Sequence, residues 1–143
     1  MIGIRLSKTD TRAIIPTYAH EGDACFDLYA IEDAIVSDKT PVMVRTGLAF
    51  EIPDGMVMKV YPRSSLAVKE HMMLANCVGI IDSGYRGEVF VPLIAFNGHT
   101  KTVKAGQRIA QAEITRTYEF RFVETDKLTE TERGTGGFGS SGK

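Results

Sequence analysis

The sequence predicts an all-β fold, a sandwich or barrel of many short strands. Three observations carry that prediction. Apolar and polar residues alternate along most of the chain, turn residues interrupt the alternation at short intervals, and only Ser64 to Met73 has helical spacing. The length suits one such domain: 143 residues, 43% hydrophobic and 24% charged, are enough to bury a core.

In chain order, Ile2, Ile4 and Leu6 alternate with Gly3, Arg5 and Ser7, the pattern of a half-buried strand. Pro41 to Ile52 is rich in Val, Leu and Phe and stops at Pro53-Asp54-Gly55, a turn sequence. Met56 to Tyr61 alternates again until Pro62. Leu66, Ala67, His71 and Met73 make one face of the predicted helix, with Ser64 or Ser65 placed to cap it. An apolar strand leads to Asp82. Glu88 to Phe96 is a nearly continuous β-branched and aromatic run that closes on Asn97-Gly98, a hairpin signal. Thr100 to Lys104, Arg108 to Thr115 and Glu119 to Glu124 complete the strands. A core domain over residues 1–126 and a polar, then glycine-rich arm over 127–143 follow from this pattern. Five of the fourteen glycines fall in the last ten residues.

Charge and composition exclude several classes. Seventeen Lys+Arg against eighteen Asp+Glu give a net charge of -1, without the basic excess of a protein that grips polymeric nucleic acid. The start of the chain lacks the apolar core of a signal peptide, and the longest apolar run, Val89 to Phe96, is too short for a membrane span. Cys25 and Cys77 sit among apolar neighbours and read as buried, reduced thiols, which predicts a cytoplasmic protein.

Five segments carry possible chemistry. In Pro62-Arg63-Ser64-Ser65-Leu66-Ala67 a helix start stands beside a guanidinium and two hydroxyls, an arrangement suited to anions, and equally that of a surface helix beside a solvated arginine. Asn76 to Glu88 puts Asp82 at the rim of a core and Tyr85 at a bend. A carboxylate there can deprotonate a water and the ring can wall off a flat ligand, although an ordinary hairpin uses the same residues. Asp27, flanked by Phe26 and Leu28, is either a plain strand carboxylate or a partner for hydrated Mg²⁺. Ala105 to Gln111 is a turn entering a buried strand. Lastly, Gly137 to Lys143 fits G-x-x-x-x-G-K on paper, but a P-loop joins a buried strand to a helix and is followed by Ser or Thr, and neither applies here. What remains is a glycine-rich backbone able to wrap phosphates, with Arg133 at one end and the lone aromatic Phe138 within it.

In this order, Ala24 to Leu28, Pro62 to Ala67, Asn76 to Glu88, Ala105 to Gln111 and Arg133 to Gly142 resemble the five motifs of the trimeric dUTPase family, the deoxyuridine triphosphate nucleotidohydrolases. The resemblance spans nearly the whole chain. It implies a jelly-roll-like β-barrel, a homotrimer with active sites at subunit interfaces, and Mg²⁺-assisted cleavage of dUTP to dUMP and pyrophosphate. Carried onto matching positions, Asp82 activates the attacking water and Asp27 holds Mg²⁺ through water. Arg63, Ser64, Ser65 and Gln111 bind the triphosphate. Asn76 and the backbone of Gly79, Ile80 and Ile81 read uracil, while Tyr85 packs on deoxyribose. Arg133 reaches the terminal phosphate, and Phe138 closes over uracil as the arm folds down. Two positions depart from the family: Cys25 and Ser65 stand where glycine is usual. Arg63 to Ala67 also resembles dCTP deaminases of the same fold. Those enzymes need an arginine and a glutamate where this chain has Val68 and Ile94, which removes their proton shuttle. A nucleotide-binding trimer acting as a sensor is the non-enzymatic alternative.

Overall fold

Strand alternation here resolves into ten strands and one helix, in a computed structural model that describes residues 3–137. In order these are β1 (Arg5–Lys8), β2 (Phe26–Tyr29), β3 (Ala34–Ser37), β4 (Val42–Glu51), β5 (Met56–Tyr61), α1 (Ser64–Glu70), β6 (Met72–Leu74), β7 (Gly79–Asp82), β8 (Glu88–Ala95), β9 (Thr100–Val103) and β10 (Arg108–Arg116). One sheet runs β1-β4-β8-β6 and the other β2-β10-β5-β7, while β3 and β9 form a separate ribbon. All the pairings are antiparallel. The architecture is jelly-roll-like as expected, although its strands fall into three separate sheets and do not close into one continuous cylinder.

A single core joins the layers: Leu48, Val91 and Leu93 from the first sheet, Leu28, Met58 and Ile109 from the second, Leu66 of α1, and Val36 and Val103 of the ribbon. Strand β8 shows why the alternation predicted it, since Val89, Val91, Leu93 and Ala95 point inward while Phe90 points out. In β4 the register slips between Arg45 and Ala49. Gly47 occupies that irregularity at φ +68, and a Cβ there would stand 2.9 Å from the Cβ of Ala13, so this position is closed to larger residues. Glu88 ties the region down, accepting from Thr9, Arg45 and the Gly47 N–H.

Several sequence expectations need correction. The helix stops at Glu70, because His71 adopts the left-handed conformation (φ 52) and its N–H closes on the Leu66 carbonyl. The chain then becomes β6, with Met72 and Leu74 inward and Met73 outward, so Met73 is not on a helix face. The N-cap is Arg63, with no side-chain cap bond, and neither serine fills that place. Asn97 and Gly98 do form a positive-φ turn (57 and 72), but the strands on either side join different sheets, so no hairpin results. Strands β3 and β6 were not foreseen. Glu119 to Glu124 forms no strand; Phe120, Phe122 and Val123 are 75%, 94% and 75% exposed, since alternation alone cannot make a strand without a ladder partner. The thiols are unpaired but not both buried. Cys25 is half-buried, and Cys77, held at φ 62 in a turn, is exposed. Ile2 and Phe138 lie outside the described residues.

Candidate functional site

On β2, Phe26 and Leu28 enter the core, which turns Asp27 to the other face of the sheet. Asp27 is nonetheless only 8% exposed, because two arginines cover it. Arg63 Nε, at the junction of β5 and α1, lies 2.8 Å from one carboxylate oxygen, and Arg108 Nη1, at the start of β10, lies 3.2 Å from the other. Gln111 pairs with Asp27 across the β2–β10 ladder, and its Nε2 donates to the Pro62 carbonyl at 3.0 Å. Together with Asp23 and Cys25 these groups line a cleft of about 250 Å³. Ser64 and Ser65 begin α1 immediately after Arg63.

The cleft therefore sets two guanidiniums against two carboxylates, Asp27 and Asp23, with the Gln111 amide beside them and the hydroxyls of Ser64 and Ser65 next in sequence, a set of donors of the kind that can meet an anion. Burial, reinforced by the charges of Glu113, Asp23 and Asp27, pushes the Cys25 thiol above its ordinary range. It therefore stays protonated near neutrality and is no nucleophile. Among the described residues no group of three His, Cys, Asp or Glu is arranged to hold a metal ion. A single carboxylate whose oxygens each keep a lone pair fits a Mg²⁺ carried mainly by phosphates and water, reached through its water shell.

The second constellation surrounds the end of β7. Asp82 closes that strand, and the Tyr85 N–H bonds back to the Asp82 carbonyl at 3.1 Å to form a tight bend. Tyr85 donates its hydroxyl to the Glu88 carbonyl at 3.0 Å, while Arg86 braces the bend from outside through the Ser83 and Tyr85 carbonyls. Gly87 passes so close beneath the Tyr85 ring that a Cβ there would overlap the hydroxyl. The result is a depression of about 210 Å³ between Ile80, Ile81, Asp82 and Tyr85 on one side and Met43 and Phe90 on the other. Gly79 packs on Val60, and a Cβ at Gly79 would meet the Asn76 amide at 3.6 Å, which brings Asn76 to the base of the same hairpin. A rigid apolar slot with an acid at its edge suits a flat ring attached to a reacting group.

These two constellations do not meet within one chain. Asp82 pairs with Val57 and Gln111 with Tyr61, at opposite ends of β5, and β2 lies three strands from β7. Strand geometry puts Asp27 and Asp82 on the order of 20 Å apart. Arg133 joins neither group. It sits in an exposed turn, its Nε donating to the Gly136 carbonyl at 3.0 Å. Sequence reasoning passed over Arg108, and also Met43 and Phe90, whose only signal is that they are apolar residues on the outer face of otherwise alternating strands.

A family model described as dUTPase matches residues 11–142. A protein named deoxyuridine 5'-triphosphate nucleotidohydrolase from a Picosynechococcus species is 45% identical, the alignment covering 97% of this chain and 98% of that one. Its namesake from Nautilia profundicola is 42% identical over 98% and 99%. Among solved structures, the Staphylococcus bacteriophage 80alpha dUTPase with dUpNHpp superimposes with a TM-score of 0.89 at 23% identity, covering all of both chains. A phage phi11 dUTPase variant, described with a structural Mg(II) ion, gives 0.80 at 20% identity over 89% of this chain and 99% of that one.

Proposed function

The chain belongs to the dUTPase family, and we propose from that premise that it hydrolyses dUTP to dUMP and pyrophosphate at a site shared between copies of itself. The observation that carries the reading is the separation just described: an arginine-lined cleft around Asp27 and a rigid slot around Asp82, each incomplete alone. A homotrimer would bring the cleft of one subunit against the slot of the next. The exposed aromatic stretch Tyr118 to Val123 and the apolar groove of about 540 Å³ lined by Leu6, Phe26 and Phe50 support such an assembly, which would cover both.

In this reading uracil enters the slot, where Asn76 and the backbone of Gly79, Ile80 and Ile81 read its polar edge. Tyr85, pinned by its bond to Glu88, packs against deoxyribose and leaves no space for a 2′-hydroxyl. Arg63, Ser64, Ser65 and Gln111 hold the triphosphate. Asp82 takes a proton from water as its oxygen attacks the α-phosphorus; the bond from that phosphorus to the bridging oxygen breaks, and pyrophosphate leaves. Mg²⁺, when bound, neutralises phosphate charge, and Asp27 would hold it through water. Arg133 would reach the terminal phosphate, with residues 127–143, including Phe138, forming the closing arm. A cytoplasmic location belongs to the same proposal.

The test is to incubate the protein with dUTP, dCTP or UTP plus Mg²⁺ and follow pyrophosphate and ammonia. Pyrophosphate from dUTP alone is expected. Ammonia from dCTP would establish a deaminase, and no product from any of the three would leave only a binding trimer.

A further inference from the structure

We propose that Arg45, on the outer face of β4, is a positioning residue that sets the sugar selectivity of the Tyr85 slot by acting through Glu88. The inference rests on the hydrolytic reading above and deepens it. Arg45 lies outside all five segments that carry the chemistry. Its importance comes from a gap in the β4–β8 ladder. Arg45 pairs with Phe90 and Ala49 with Glu88, so four steps along β4 answer two along β8. Across that gap, side chains supply bonds to the start of β8. Thr46 donates its hydroxyl to the Val89 carbonyl at 2.6 Å, and the Gly47 N–H donates to the Glu88 carboxylate at 2.9 Å. Arg45 grips the same carboxylate with two prongs, Nε to Oε1 at 3.1 Å and Nη2 to Oε2 at 2.9 Å.

Glu88 is where this hold reaches the slot. Its carbonyl accepts the Tyr85 hydroxyl at 3.0 Å, and that bond fixes the ring that packs against deoxyribose. The Glu88 side chain is only 10% exposed, and Thr9, Gly47 and the two prongs of Arg45 fill the acceptor positions of its carboxylate. Without Arg45, a nearly buried charge would keep two of its four bonds and would have to turn toward water, drawing the Glu88 backbone with it. A displacement of about 0.5 Å in a supporting group is enough to loosen a site. Arg45 is itself braced from the other side: its Nη1 lies 3.6 Å from Asp10, which Arg12 holds at 2.8 and 2.9 Å. It also stands opposite Phe90, which with Met43 and Glu88 lines the slot. The ring and the wall facing it therefore share one anchor.

The experiment compares wild type with Arg45→Met, Arg45→Lys and Thr9→Val. Values of kcat and KM are measured for dUTP and, at high enzyme concentration, for UTP; calorimetry follows dUMP and UMP, and thermal melts run alongside. Arg45→Met is expected to lower the dUTP-to-UTP ratio of kcat/KM, and the dUMP-to-UMP ratio of affinities, about tenfold. Arg45→Lys, which keeps the charge but not the fork, falls between, and Thr9→Val shifts both ratios the same way by less. A residue that merely braces the fold would cost active molecules and reduce both nucleotides equally. Unchanged ratios in Arg45→Met would therefore overturn the proposal, even with a lower melting temperature. If Arg45→Met does not fold, unchanged ratios in the other two variants would overturn it. A wild-type protein that cleaves no dUTP, yet prefers dUMP to UMP in an Arg45-dependent way, would uphold the positioning role while refuting the hydrolytic reading. One that binds neither nucleotide would overturn both.

Discussion

Asp82 is the residue whose chemistry is most exposed to test. It lies at the open edge of the Tyr85 slot, positioned by β7 and by the bend that returns the Tyr85 N–H to its carbonyl. Changing Asp82→Asn keeps the size and shape of the side chain but removes the charge and the proton acceptor. Turnover of dUTP should fall at least a hundredfold while binding of a non-hydrolysable analogue is retained. Single-turnover kinetics with a parallel titration separates the two, and near-normal turnover would remove Asp82 from the role of base. The place of this residue at the end of a strand was legible because an apolar run leads straight to it. That of Arg108 was not: regular alternation assigns it to the core side of β10, and only the extra residue Ile109 reverses that assignment.

At the scale of elements, Glu88 ties together β4, β8 and the end of β1, where Thr9 follows the strand. Burial pushes its carboxyl up, but hydrogen bonds from Arg45, Thr9 and the Gly47 N–H outweigh that and leave it below the ordinary carboxylate range. A carboxylate depressed on folding stabilises above its unfolded value, and the contribution disappears as pH falls through the folded value. Asp10 and Asp33, both held low by hydrogen bonds from cationic side chains, act with the same sign. Melting temperature should therefore drop as pH falls below about 4, and Glu88→Gln should lose about 2 kcal/mol at neutral pH while flattening that slope. Thermal melts from pH 7 to pH 3 check this; parallel curves for the two proteins would contradict it. The elements themselves were unequally readable. β4, β5 and β8 show long alternation bounded by turn residues, whereas β6, three residues long, was read into the helical spacing of Ser64 to Met73, and β3 is a four-residue strand. The segment Glu119 to Glu124 has the period and lacks a ladder partner among the described residues.

For the whole molecule, the order β2-β10-β5-β7 has the largest consequence, because it keeps the arginine-lined cleft and the Asp82 slot at opposite ends of one sheet. The resemblance implied active sites at subunit interfaces, but the distance between Asp27 and Asp82 within one subunit was not legible, since pairing register is a property of the folded ladder. An assembly of three chains, near three times 15.7 kDa by light scattering, is the expected solution state. The decisive measurement mixes two inactive variants, Asp82→Asn and Arg63→Gln, under conditions where subunits exchange, and follows pyrophosphate release from dUTP. If each site draws its slot from one subunit and its cleft from another, random mixing restores about a quarter of the wild-type sites. Exchange demonstrated by mass spectrometry with no recovery of activity would contradict the shared site.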